Sequence, residues 1–154
     1  REAHEQLEAE YQRYLRNSRG FSVLLMDIDL FKSVNDNHGH QVGDETIVMV
    51  ARTLREHSRK VDTLARWGGE EYLVLLPETD TVEAVQTANR IRQTIASTPI
   101  ETQGGSINTT ISVGVAAIHG AESVDRLLQR ADEALYRAKT LGRNKVCDFE
   151  GIHG

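Results

Sequence analysis

The apolar positions along the chain change period several times, and each change marks an element. Leu7, Tyr11, Tyr14 and Leu15 recur at helical spacing in a charged stretch without Gly or Pro, which predicts a helix over residues 1–18, closed by Gly20. SVLLMDID, residues 22–29, is instead a continuous apolar run, the pattern of a strand covered on both faces. The polar, glycine-containing LFKSVNDNHGHQVGD that follows reads as a short helix and then a loop. Ile47, Val50, Ala51 and Leu54 share one stripe of a helix over 44–57. Strands over 63–66 and 72–76 close around Gly68-Gly69, where a primed hairpin turn needs φ > 0. Val82, Val85, Ala88, Ile91 and Ile95 mark the inner face of a helix over 81–97, with Pro99 just past its end. A hairpin at Gly104-Gly105 leads into a strand over 106–118. A last helix spans 123–140, with Ser123 as N-cap, Val124, Leu127, Leu128, Ala131, Leu135 and Ala138 inward, and Gly142 as its stop. Residues 145–149 suit an edge strand. The order is βαββαβ with extra pieces, an α/β (α+β) domain without repeats or linkers.

Composition narrows the function. A chain of 154 residues with 39% apolar and 27% charged positions is long enough for one domain with a real core. Its 18 basic and 23 acidic side chains leave a net charge of -5, which argues against a general nucleic-acid or membrane-surface binder. A nucleotide substrate stays open, because bound cations can offset carboxylates locally. Cys147 is the only cysteine, so neither a disulfide framework nor a cysteine zinc site is available. His38 and His40 have no third ligand at zinc spacing and read as loop histidines. No run reaches the roughly 18 apolar residues of a membrane span, so a cytoplasmic domain is expected. The start inside a helical pattern suggests a longer protein, with residues 1–20 continuing from an upstream sensor or stalk. Any membrane link would come through that region. Residues 21–154 would form the globular domain.

Two acidic positions stand out. Asp27 lies near the end of an otherwise apolar strand, and Glu70-Glu71 lie at a hairpin tip. If the two strands are neighbours, Asp27 faces Glu70, and two such carboxylates resist ionisation unless a cation sits between them. A hard divalent cation that completes its shell with phosphate would suit them. Solvated turn charges are the plain alternative for the glutamates. They do not explain Asp27, which would be a costly buried charge.

Asp27-Ile28-Asp29, Phe31-Lys32, Asn35-Asp36, Gly39-His40, Gly43-Asp44 and Gly68-Gly69-Glu70-Glu71-Tyr72 follow one another in the order of a long motif. With Ala131 to Tyr136 and Lys139 to Asn144, they make the chain resemble the GGDEF family of diguanylate cyclases. Tyr72 replaces the usual Phe, and most of the segment that normally precedes the first helix is missing. The resemblance implies a ferredoxin-like palm, as in nucleotide cyclases and polymerases. It implies the condensation of two GTP into cyclic di-GMP with release of two pyrophosphates, across a two-fold pair of domains.

It also implies roles. Asp27, the Ile28 carbonyl and Glu70 would hold Mg²⁺ or Mn²⁺, two ions per site, with Glu71 as a further ligand or the group that helps deprotonate the 3′-hydroxyl. Asn35 and Asp44 would read guanine, whose paired donors suit an acceptor-only carboxylate. On spacing alone Asn35 is a turn residue and Asp44 a helix N-cap. Gly69, the backbone near Phe31 and Lys32, and the cations Lys139 and Arg143 would meet phosphates, although cations also suit a helix C-terminus. Arg59, Asp62 and Arg90 would bind the product as an inhibitor, where an isolated RxxD is more often a surface ion pair. The main alternative to an enzyme is a non-catalytic cyclic di-GMP receptor. Retention of Asp27, Gly68, Gly69, Glu70 and Glu71 favours catalysis.

Overall fold

Every residue of β1 (Phe21–Ile28) is buried, as its unbroken apolar run requires, and the rest of the chain is arranged about this strand. In the computed structural model, which describes residues 2–149 and 151–153, helix α1 (Glu2–Asn17) leads into it. Position 1 of the expected helix lies outside the described residues. After β1 come α2 (Phe31–His38), α3 (His40–Glu56), β2 (Thr63–Arg66), β3 (Glu71–Pro77) and α4 (Thr81–Ser97). A small hairpin, β4 (Ile100–Thr102) and β5 (Gly105–Ile107), precedes β6 (Ile111–Ala117), α5 (Val124–Thr140) and β7 (Val146–Cys147).

The main sheet has the order β2-β3-β1-β6-β7. β1 is antiparallel to both β3 and β6, and only β7 joins in parallel. The sequence β1-α3-β2-β3-α4-β6 within that order is the ferredoxin-like βαββαβ arrangement, with α1, α2, α5, β7 and the small hairpin added. Even-numbered residues of β1 and β3 (Leu24, Met26, Val74, Leu76) pack on α3 and α4. Odd-numbered ones (Val23, Leu25, Leu73, Leu75) pack on α1 and α5 through Leu7, Leu127, Ala131 and Leu135. This two-sided cover explains why neither face of β1 carries a polar alternation. Among the described residues no helix is long and apolar enough to cross a membrane.

One glycine sets how close α5 comes. A Cβ on Gly114 of β6 would fall 2.2 Å from the Ala131 carbonyl oxygen and 2.4 Å from the Leu135 amide nitrogen, both backbone atoms of α5. The missing side chain lets the helix lie directly on the strand.

Several local expectations are corrected. α3 begins at His40 after Gly39, which has φ 89, so Asp44 stands inside the helix and caps nothing. Val50 and Leu54 of its expected stripe are buried and Ile47 and Ala51 pack partly buried on the same core, while Thr46, Met49 and Thr53 extend the buried face. In α4 the stripe is Ala84, Ala88, Ile91 and Ile95, and Val82, on the opposite side of the helix from Ala84, is 65% exposed. An Asp80–Glu83 capping box fixes that start, with Glu83 N donating to Asp80 Oδ1 at 2.9 Å. The strand expected over 106–118 is broken into β5 and β6. Gly68 and Gly69 do not have positive φ. Arg66 and Tyr72 are the last ladder pair, so the loop between them is longer than a two-residue primed turn and does not require left-handed residues. Arg143 lies just beyond the end of α5, as expected, at φ 64. Ser123 does cap α5, accepting from Arg126 N at 3.1 Å.

Candidate active site at the end of β1

Asp27 is the penultimate residue of β1, and its partner across the ladder is Glu71. Directly opposed residues in an antiparallel pair project to the same face. Asp27 and Glu71 therefore share the α5 side, and the expected pairing with Glu70 is off by one residue. Register, which a sequence does not display, decides this. Glu70 stands just before β3, its carbonyl accepting from the Ile28 amide at 3.2 Å. Ile28 itself is buried.

Asp27 is only 6% exposed. Its Oδ2 accepts from Lys139 Nζ on α5, whereas Oδ1 is buried with no hydrogen-bond partner. A buried carboxylate oxygen without a donor is expensive, and a bound cation is what relieves it. Among the described residues no group of three or more His, Cys, Asp or Glu forms a closed metal cage. Mg²⁺ needs none, since it commonly uses one or two carboxylates and takes its other ligands from water and phosphate. The donor set fits.

Burial, and then the charge of Asp27, raise the pKa of Glu71; Lys139 offsets part of this, while Asp132 and Glu70 add repulsion. A carboxyl raised by folding favours the native state fully below its unfolded pKa and loses that contribution as pH rises through the folded value. Metal-free protein should therefore lose stability relative to Glu71→Gln as pH is raised from the ordinary value of 4.5 to neutrality. Thermal unfolding of both proteins across that range checks this. A difference in Tm that stays flat contradicts it.

Asp29, the second acid of the same motif, has another role. Its Oδ1 accepts from Ser112 Oγ at 2.6 Å, and its Oδ2 from Thr110 Oγ1 at 2.6 Å and Asn144 N at 2.9 Å. It ties the end of β1 to β6 and to the turn that carries Arg143. The hairpin is pinned as well: Arg66 Nε and Nη2 donate to Gly69 O at 2.9 and 2.6 Å. Trp67 N donates to Glu71 O at 2.8 Å, and the Trp67 ring lies 4.7 Å from that of His4 on α1. A Cβ on Gly69 would meet nothing within 4 Å, so open space lies beside the loop backbone. The usual Phe is replaced at little cost, because Tyr72 Oη donates to Ile47 O at 3.3 Å. Asp29 and Arg66 were not singled out from the sequence. Their partners are a strand eighty residues away and a loop carbonyl, neither of which leaves a local pattern.

α2 starts at Phe31 with Leu30 left-handed (φ 54) as its cap and no side chain accepting from the first turn. The amides at Phe31 and Lys32 are thus available to an anion. Lys32 Nζ reaches Asp36 Oδ2 at 3.0 Å on the exposed side. Asn35 leans on α3 where there is no side chain: a Cβ on Gly43 would sit 1.9 Å from Asn35 Oδ1. Asp44, next to Gly43, is exposed. The helix pair thus brings Asn35 beside the turn that carries Asp44.

Arg59, Asp62 and Arg90 line one small cavity of about 240 Å³, with Thr79, Glu83 and Thr87. The commonplace ion pair does form. Arg59 Nη2 donates to Asp62 Oδ1 at 2.8 Å and also to Pro77 O and Thr79 Oγ1, each at 2.9 Å.

The chain matches the family model described as diguanylate cyclase, GGDEF domain, over residues 1–145. It is 46% identical over 134 residues to diguanylate cyclase DgcM of Escherichia coli K12, covering 87% of this chain and 32% of that protein. It is 40% identical over 144 residues to the response regulator PleD of Caulobacter vibrioides, covering 92% of this chain and 32% of that one. The chain thus spans about a third of the length of these relatives. Among solved structures, the GGDEF domain of DgcB from Caulobacter crescentus, in complex with c-di-GMP, superposes with TM-score 0.92 at 30% identity, covering 96% of this chain and 88% of that one. The active GGEEF domain of a diguanylate cyclase from Vibrio cholerae gives 0.88 at 31%, covering 93% and 91%. With the palm, the motif order and the carboxylate pair in place, the chain belongs to the GGDEF family of diguanylate cyclase domains.

Proposed function

We propose that this domain condenses two molecules of GTP into cyclic di-GMP, forming two phosphodiester bonds and releasing two pyrophosphates. The observation that carries the proposal is the buried, unpartnered Oδ1 of Asp27, facing Glu71 at the end of β1 beside the uncapped amides of α2. Asp27, the Ile28 carbonyl and Glu70 would hold Mg²⁺ or Mn²⁺, two ions per site, which when bound neutralise phosphate charge and acidify the attacking 3′-hydroxyl. The amides of Phe31 and Lys32 bind the phosphates, with Lys139 and Arg143 supplying cationic partners and Gly69 leaving room for them. Asn35 and Asp44 read the guanine edge. Glu71, whose proton affinity is raised by burial and by Asp27, is suited to accept the proton of the 3′-hydroxyl.

Each domain holds one GTP, so a second copy must present the other with two-fold symmetry. We place the domain in the cytoplasm, where a buried free thiol such as Cys147 stays reduced. The product would also act as inhibitor at Arg59, Asp62 and Arg90, with the Arg59 side chain turning away from Asp62 to free that carboxylate for guanine. Arg59→Ala and Arg90→Ala should each raise the concentration of cyclic di-GMP needed for half-inhibition by about ten- to a hundredfold, the worth of a lost bidentate guanine contact. Arg90→Ala also leaves the Arg59–Asp62 pair intact. Inhibition curves unchanged in both variants contradict a product site there.

The experiment that tests the function is incubation of the purified domain with GTP and Mg²⁺, followed by chromatography with mass detection. Cyclic di-GMP supports it. Cyclic di-GMP binding without turnover makes the domain a receptor instead.

A further inference from the structure

The cavities, clusters and patches away from the site offer less than one contact inside it. Lys139 donates to Asp27 Oδ2, on the carboxylate whose other oxygen has no partner and which faces Glu71. Lys139 comes from the last turn of α5, and its side chain is one-third exposed at 33% while that of Asp27 is 8% exposed. The ammonium therefore sits where a cation is most needed, on a stem that can swing outward into solvent. Nothing else holds it there: among its hydrogen bonds and ion pairs in the described residues, Asp27 is the only partner.

We propose that Lys139 is a stand-in for the metal. In the nucleotide-free domain it neutralises Asp27 through Oδ2, it opposes a cation at the free Oδ1 of the same carboxylate, and it is released toward the incoming triphosphate. The proposal rests on the metal role of Asp27 set out above and adds what that role omits, a competition between a protein cation at Oδ2 and the metal at Oδ1 for the charge of one carboxylate.

The consequence is a coupling between ligands. A metal binding alone at Oδ1 meets the Lys139 ammonium already held on Oδ2 of the same carboxylate, and the two cations repel. A triphosphate binding alone draws Lys139 away and leaves Asp27 and Glu71 facing each other without a cation. Each ligand removes the cost that the other would meet, so each raises the affinity of the other by the same factor. The domain thereby holds little metal until its substrate arrives.

Mn²⁺ binding is the test, because it can be read by the magnetic resonance of free Mn²⁺ without turnover. In the absence of nucleotide, Lys139→Met should bind Mn²⁺ about three- to tenfold more tightly than the parent, the worth of a partly buried ion pair removed from competition. Lys139→Arg should stay near the parent. Without metal, Lys139→Met should also have the lower Tm, recovered by Mn²⁺ through a larger shift than the parent shows. Affinity in Lys139→Met equal to or below the parent's overturns the proposal. So does an equal rise in Arg143→Met, which would assign the effect to the general field of the cationic segment. Asp27→Asn separates the two levels of the argument. If it leaves Mn²⁺ binding unchanged with a non-reactive GTP analogue, the metal role itself is wrong. If it abolishes binding while Lys139→Met changes nothing, only the competition is wrong.

Discussion

Asp27→Asn should lower cyclic di-GMP formation by about a hundred- to a thousandfold while leaving the fold intact, since several kcal/mol of stabilisation at the reacting phosphate goes with the metal. The substitution keeps the size of the side chain and removes the charge that a cation would meet at Oδ1. It also removes one of the two carboxylates that face each other across β1 and β3, so the loss of the Lys139 pair is offset by relief of repulsion on Glu71. Recognition of guanine is assigned to Asn35 and Asp44 on a separate helix pair. A GTP analogue should therefore still bind, with the defect in turnover. Steady-state kinetics and calorimetric titration check the split. Activity within a few-fold of the parent contradicts the role given to Asp27.

The second large effect is on stability. In Gly114→Ala the new methyl group meets the Ala131 carbonyl at 2.2 Å and the Leu135 backbone at 2.4 and 3.0 Å, so α5 must lift as a body from β6. Overpacking against backbone should cost about 3 kcal/mol or more, which for a domain of this length lowers Tm by roughly 10 °C. Because α5 carries Lys139 and the turn with Arg143, the cations assigned to the triphosphate, activity should fall even well below the new Tm. Gly69→Ala is the contrast: with nothing within 4 Å of its Cβ, it should leave Tm nearly unchanged. Equal Tm values for Gly114→Ala and the parent contradict the packing account.

What the sequence made legible follows a physical division. The buried run of β1 and the stripe of α5 are periodic patterns, and both elements appear where the patterns put them. The Asp27–Glu71 pairing depends on register between strands more than forty residues apart, and apolar periodicity carries no register. Asp44 shows the converse: it is a good N-cap by residue type, but Gly39 bends the chain five residues earlier and starts α3 there. Val82 lies on the opposite side of α4 from Ala84 and Ala88, so an apolar side chain there does not join the stripe. Of the two reasons for glycine at 68 and 69, positive φ is not met, while open space does lie beside Gly69.

The site was legible as a set of residues and not as an arrangement. The order of the motif named Asp27, Glu70, Glu71, Asn35, Asp44 and Lys139 together. Which oxygen of Asp27 is left without a partner, and which cation holds the other, came only from the packing of α5 on β6. Arg59 and Asp62 form the ordinary ion pair and share a small cavity with Arg90.

The most direct measurement is the rate of product formation from GTP and Mg²⁺, identified by mass, over a range of protein concentrations. The account predicts cyclic di-GMP, with activity per molecule rising as concentration increases, because two domains must meet to join two substrates. Cyclic GMP as product, or cyclic di-GMP at a rate per molecule that stays constant where the protein sediments as a monomer, would contradict it.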